Sequence, residues 1–302
     1  MSNAPHFKAP KYWPVWLGIW SLQLWAKLPW PLQYKIAQLL GILAFYLAHR
    51  RRHIVEVNLE LAFPECSLAK RRKMTFDVLL NSMVGLVEAA KVYQRPIEEL
   101  RSKTTIKGQE ILQAAINEGR GVLLLGAHYS HLDLGGALVS LVCKPTAIYR
   151  PNNNPLMDNY IKQGRMTFMH DVVLRSDMRG IAKALKKGEV VWYPPDQDYG
   201  KSHAVYAPFF GVNASTIIAT SRLVKFNRSA VVVMSVSRDE DKDHYTLEFQ
   251  SLPQEIPTGD DVKDATIVNR ALENCIRKAP TQYMWTHRRF KTQPEGRAKF
   301  YQ

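Results

Sequence analysis

A chain of 302 residues suits one large domain, or a domain with an anchoring segment, and is ample to bury a core. Its 46% hydrophobic content excludes a polytopic membrane protein, while a formal net charge of +14 argues for an anionic partner such as phospholipid headgroups or an acidic protein. No zinc-finger spacing or RNA-binding signature accompanies the charge, so nucleic acid ranks last; three widely spaced cysteines, Cys66, Cys143 and Cys275, form no disulfide framework and fit a reducing compartment.

In chain order, residues 1–10 are a polar leader with two prolines. Residues 12–48 carry two apolar stretches with Trp13, Trp16, Trp20, Trp25 and Trp30, broken by Lys27, Pro29 and Pro31. Neither offers about 20 uninterrupted apolar residues, so the tryptophans point to a helix lying in a membrane interface more than to a spanning one; the alternative is a buried amphipathic helix of the soluble domain. Arg50, Arg51, Arg52 and His53 close the segment with positive charge, the cytoplasmic side by the positive-inside rule, and no signal peptide frames it. This divides the chain into a membrane-associating segment, 1–50, and a catalytic domain, 51–302.

Residues 54–120 read as helical, with a break at Pro64 and Ser67 as the N-cap of a long helix. Its apolar positions, Met74 to Val87, fit plain core more readily than the lining of an apolar channel. Residues 101–110 are polar and short. From 121 the pattern alternates: strands at 122–125, 144–150, 171–175 and 189–193, helices at 154–169, 177–187 and 214–226, then strands 230–237 and 244–251 across a charged turn, and a last helix at 261–278. Such βα alternation predicts an α/β fold, a mostly parallel central sheet with helices on both faces, preceded by the hydrophobic N-terminal helical anchor.

Residues 121–136, GVLLLGAHYSHLDLGG, are where the chemistry concentrates. A buried strand stops at Gly126 and delivers His128, His131 and Asp133, at the position where open α/β sheets place their sites. Asp133 on the turn can hold His128 in one tautomer, making it a general base; with no G-x-S-x-G elbow, the pair would activate a substrate hydroxyl. Two other readings stand: a capped strand-to-helix connection with incidental histidines, and a His-x-x-His-x-Asp metal set, which matches no established zinc spacing.

His128-x4-Asp133 resembles the H-x4-D/E signature of glycerolipid-type acyltransferases. The segments NLELAFPE (58–65), GAHYSHLDLGG (126–136), YRPNNNPLMDNYIKQGR (149–165), WYPPDQDYG (192–200), VYAPFFGVNAST (205–216) and QYMWTHRRFKTQPEG (282–296) are similar, in that order, to the bacterial lipid A late acyltransferases. The resemblance covers nearly the whole chain. It implies transfer of an acyl group from acyl carrier protein to a hydroxyl of a Kdo-bearing lipid A precursor, at the cytoplasmic face of the inner membrane. His128 would be the base, Asp133 its orienting partner, and no cofactor or metal would be needed. It marks Arg150 and Arg165 above all, with Asn154 and Arg175, as groups for the precursor's phosphates, since a guanidinium suits phosphate. Asp196 and Gln197, after a strand and a double proline, would orient substrate or support the site. Phe209 and Phe210 would flank the acyl chain or pack, and WTHRRFK would seat anionic headgroups or finish the core with Trp285. An acyltransferase on another glycolipid or lysophospholipid, a non-catalytic membrane-surface protein and a metal-dependent hydrolase are the rivals.

Overall fold

The computed structural model describes residues 7–239, 243–295 and 299–301. The first six residues of the leader and the tip of the charged turn, 240–242, lie outside them. In chain order the helices and strands are α1 (Trp13–Lys27), α2 (Trp30–Leu47), α3 (His49–Ala62), α4 (Leu68–Val92), β1 (Thr104–Lys107), α5 (Gln109–Asn117), β2 (Val122–Leu125), α6 (Leu132–Val139), β3 (Thr146–Tyr149), α7 (Pro155–Met166), β4 (Asp171–Leu174), α8 (Met178–Lys186), β5 (Val190–Tyr193), β6 (Ala204–Phe209), β7 (Val212–Ile217), α9 (Ala219–Asn227), β8 (Ala230–Arg238), β9 (Tyr245–Ser251) and α10 (Asp261–Lys278). Ser67 caps α4 by accepting from Lys70 N, as its position predicts.

Seven strands form one sheet in the order β1-β9-β8-β2-β5-β3-β4. β8, β2, β5, β3 and β4 run parallel, and β9, with β1 beside it, runs against them. β2 is buried on both faces, because a central parallel strand is covered on each side by crossover helices. Its alternate residues feed two cores. Leu123 and Leu125 pack with α8, α9 and α10, while Val122 and Leu124 pack with α5 and α6. The α/β fold with a mostly parallel sheet is as expected; β1 was missed because Thr-Thr-Ile-Lys is a short, polar edge strand. β6 and β7 form a separate hairpin where a helix from 214 was predicted, its turn made by Phe210 and Gly211, both at positive φ.

Among the described residues, no helix is long and apolar enough to cross a membrane. The tryptophan-rich stretch folds instead into two shorter helices that pack on α4. On α2, residues Gln33, Ala37, Gly41 and Phe45 recur every four positions and are buried. Gly41 allows a close approach there: a Cβ would stand 3.0 Å from the Leu80 Cα, and α4 would have to give by a few tenths of an ångström. Gln33 locks the corner, donating to the carbonyls of Ala26 and Leu28 and accepting the Trp25 indole N–H on its own carbonyl. The opposite faces are apolar and exposed: Trp13, Leu17, Trp20 and Leu24 on α1, and Leu32, Leu39, Leu43 and Tyr46 on α2.

Candidate active site

The parallel strands β2 and β5 are paired so that Leu125 stands beside Tyr193. His128 and Asp196 each lie three residues beyond those partners, on loops leaving the same edge of the sheet. They meet there. His128 Nδ1 is 2.6 Å from Asp196 Oδ1, and the His128 backbone N–H donates to Asp196 Oδ2 at 2.9 Å. One carboxylate thus grips the ring and the backbone of one residue. Asp196 is fully buried. Burial alone would raise its carboxyl, but the facing His128, its two hydrogen bonds and the Tyr283 hydroxyl hold it down to about 2. An ionised Asp196 keeps the proton on Nδ1 and leaves the Nε2 lone pair for a substrate.

This corrects the expected pairing. Asp133 does not serve His128: in the first turn of α6, its carboxylate accepts from Arg165 Nε at 2.6 Å, with Tyr93 joining the pair. Burial opposes the Arg165 charge, and the Asp133 carboxylate outweighs it, so the guanidinium stays protonated. Arg165 is therefore a brace from α7 to the turn after His128, and its expected role toward phosphate falls. His131 turns into the core, where its Nε2 hydrogen-bonds the Val236 carbonyl at 3.2 Å and burial pushes its pKa down to about 4. The His-x-x-His-x-Asp metal set is thereby dispersed, and no group of three or more His, Cys, Asp or Glu among the described residues is placed to hold a metal ion.

Asn154 departs from expectation, while Phe209 and Phe210 follow one of the two readings given for them. Asn154 is the N-cap of α7, its side-chain oxygen accepting from Leu156 N and Met157 N, so its oxygen is engaged in shaping a helix start. Phe209 and Phe210 pack, 5.0 Å apart, in an aromatic cluster with Trp285, which is fully buried.

Arg150 and Arg175 line the same cleft. Each follows directly on the paired strand ends Tyr149 and Leu174. With Gln197 they line a cleft of about 580 Å³ whose other cations are Arg50 and Arg51 of α3 and Arg288 and Lys291 of the C-terminal segment. Its one carboxylate, Asp198, is occupied by the backbone N–H and hydroxyl of Thr292 and by Gly200 N. The cleft is an electropositive pocket beside the His128–Asp196 pair. A larger cavity, about 910 Å³, opens at the other end of the strands around Arg228–Val232 and is lined by mixed charges.

Residues 280–292 strap the site together, which the sequence did not reveal. Met284 N donates to the His128 carbonyl and Gln282 O accepts from Ser130 N, each at 2.8 Å. The Gln282 amide clasps the Arg238 backbone at the end of β8. Asn58 on α3 donates to the carbonyls of Trp285 and His287. Tyr283, whose hydroxyl reaches Asp196, had no signal in sequence: it is one aromatic in an aromatic-rich run.

The geometry agrees with what comparison with known proteins finds. The model of the bacterial lipid A biosynthesis acyltransferase family matches residues 1–292. The chain is 40% identical to the lipid A biosynthesis lauroyltransferase of Escherichia coli K12, with 98% of each chain covered. It is 37% identical to the palmitoleoyltransferase of the same organism, over 98% of this chain and 96% of the relative, and 26% identical to its myristoyltransferase, over 98% and 92%. This chain, with its histidine–aspartate pair at the sheet edge, belongs to the bacterial lipid A biosynthesis acyltransferases.

Proposed function

We propose that the protein transfers a fatty acyl group from an acyl carrier protein thioester to a hydroxyl of an acidic lipid A precursor at the cytoplasmic face of the inner membrane. The observation that carries this reading is the His128–Asp196 pair at the end of the parallel strands, with Gln197 and Asp198, next along the chain, lining the basic cleft. His128 Nε2 takes the hydroxyl proton as the oxygen attacks the thioester carbonyl, and Asp196 steadies the imidazolium. The tetrahedral intermediate collapses, the new ester forms, and the imidazolium returns the proton to the departing thiolate. These residues carry out each proton transfer themselves, so the reaction calls for no bound cofactor.

The cleft cations suit the acceptor's phosphates and acidic sugars. The exposed apolar stripes of α1 and α2, followed at once by Arg50 and Arg51, suit a protein lying on an anionic membrane with its cleft at the headgroup level. The test is transfer by purified protein in detergent, with acyl carrier protein and coenzyme A thioesters offered in parallel to a labelled lipid A precursor. Ester formation from the carrier thioester is the expected result. Consumption of neither thioester, or transfer to lysophospholipid alone, overturns the reading.

A further inference from the structure

The cleft is lined by a histidine whose chemistry is the complement of His128. His287 is on the C-terminal strap, within electrostatic reach of the Asp196–His128 pair and lining the cleft with the arginines. Its Nε2 lies 3.2 Å from the backbone nitrogen of Asp198. A backbone N–H only donates, so Nε2 must be the accepting nitrogen and the proton of the neutral ring must sit on Nδ1. Both sides of that bond are fixed before any ligand arrives. The His287 carbonyl accepts from Asn58 Nδ2 at 2.8 Å, its N–H donates to the Met284 carbonyl, and Thr292 holds the Asp198 carboxylate. Among the described residues none accepts from Nδ1, and unlike the His131 Nδ1 it is not sealed inside the protein. Burial depresses the His287 pKa to about 4, so the ring is neutral at working pH.

We infer that His287 is a specificity-determining residue for the acceptor, donating a hydrogen bond from Nδ1–H to a sugar oxygen of the headgroup seated in the cleft. The inference rests on the proposed reading of the cleft as the acceptor site. Six cations attract any anion of suitable size, but they fix no oxygen position. A neutral donor with a preset tautomer does, because an analogue lacking that oxygen leaves a desolvated N–H without a partner. His128 offers substrate a lone pair; His287 offers it a proton.

Two substitutions separate this from a merely structural role. His287→Gln places its carbonyl near Nε2 and keeps an acceptor for Asp198 N–H, but removes the donor. His287→Asn keeps a donor near Nδ1 and loses the acceptor. The expected result is that His287→Gln raises KM for the lipid A precursor about tenfold, or about 1.4 kcal/mol, with kcat within about threefold and Tm near that of the parent. His287→Asn keeps KM and lowers Tm. The reverse order, with Gln matching the parent in KM and Asn impaired, overturns the inference, as does a fall in kcat at constant KM. The ¹⁵N spectrum of the imidazole gives a readout apart from catalysis. A protonated Nδ1 whose resonance moves on addition of the de-O-acylated precursor is expected; a protonated Nε2, or no movement, overturns it. Absence of transfer by the parent protein would instead contradict the proposed reaction.

Discussion

Two aspartates flank the loop that carries His128, and they hold opposite kinds of partner. Asp196, behind the loop, faces an imidazole; Asp133, in the helix turn that follows, faces a guanidinium that stays charged. The first pair can exchange a proton with substrate during a reaction. The second is a fixed charge pair, and its work is to hold α7 against the start of α6. Aspartates of the same chemical type thus divide into a reactive role and a bracing role according to the partner that the fold supplies.

The contrast can be broken most forcefully at its centre. His128→Ala should lower kcat by about 10³-fold, in line with loss of a general base, and should also lower Tm, since the buried Asp196 carboxylate loses its ring partner; acyl-transfer kinetics beside thermal melts would show it. On the bracing side, Arg165→Met leaves the Asp133 carboxylate and the Tyr93 hydroxyl without their cation. It should cost about 3 kcal/mol of stability, read from the denaturant midpoint, and lower kcat less than His128→Ala does. A variant as stable as the parent but catalytically dead would make Arg165 part of the reaction. Away from both pairs, Leu17→Ser and Leu39→Ser on the exposed stripes should each weaken partition onto anionic vesicles by up to about tenfold, from the apolar area withdrawn from the membrane. Neither should change kcat in detergent or Tm, and unchanged vesicle binding would remove the membrane role of α1 and α2.

Acid sharpens the same contrast. His131 and His287 have folded pKa values of about 4, below the ordinary 6.5, so between those limits the unfolded chain binds protons that the folded one refuses. Stability contributed by the neutral rings is complete above about 6.5 and declines as the pH falls to about 4. Asp196, at about 2 against an ordinary 3.8, adds a second decline below that, as its carboxylate is protonated and lets go of His128. A urea midpoint measured from pH 7 to pH 2 should fall in two stages, and His131→Gln should soften the upper one.

Much of the frame was readable in the residues themselves. The apolar run Val122–Leu125 and the Val-Val-Trp-Tyr of β5 look like buried parallel strands and are. The start of α4 follows from Ser67 and that of α7 from Pro155. What failed was the choice of carboxylate. Asp133 is five residues from His128 and Asp196 is 68 away, so nearness in sequence favoured the wrong one. The pairing of β2 with β5 puts the distant aspartate at the same depth, and strand order is a property of the whole sheet. A signal did exist: both residues stand the same short distance past a buried strand, where carboxyl ends of parallel strands converge. Asn154 misled for another reason, since an asparagine before Pro155 is as much a helix cap as a ligand. The β6–β7 hairpin escaped because its turn is Phe210-Gly211 and lacks the Asn-Gly or Asp-Gly cue.

The most direct measurement sets Asp196→Asn beside Asp133→Asn in the same acyl-transfer and melting experiments. Each change removes one charge and nearly no volume. Asp196→Asn should lower kcat by about 10²- to 10³-fold and Tm by several degrees, because the amide no longer holds the proton on Nδ1, steadies the imidazolium or keeps the buried charge pair. Asp133→Asn should lower Tm by several degrees and kcat by about tenfold, the loss of a brace. A nearly active Asp196→Asn together with a stable, inactive Asp133→Asn would contradict the account and return the catalytic role to Asp133.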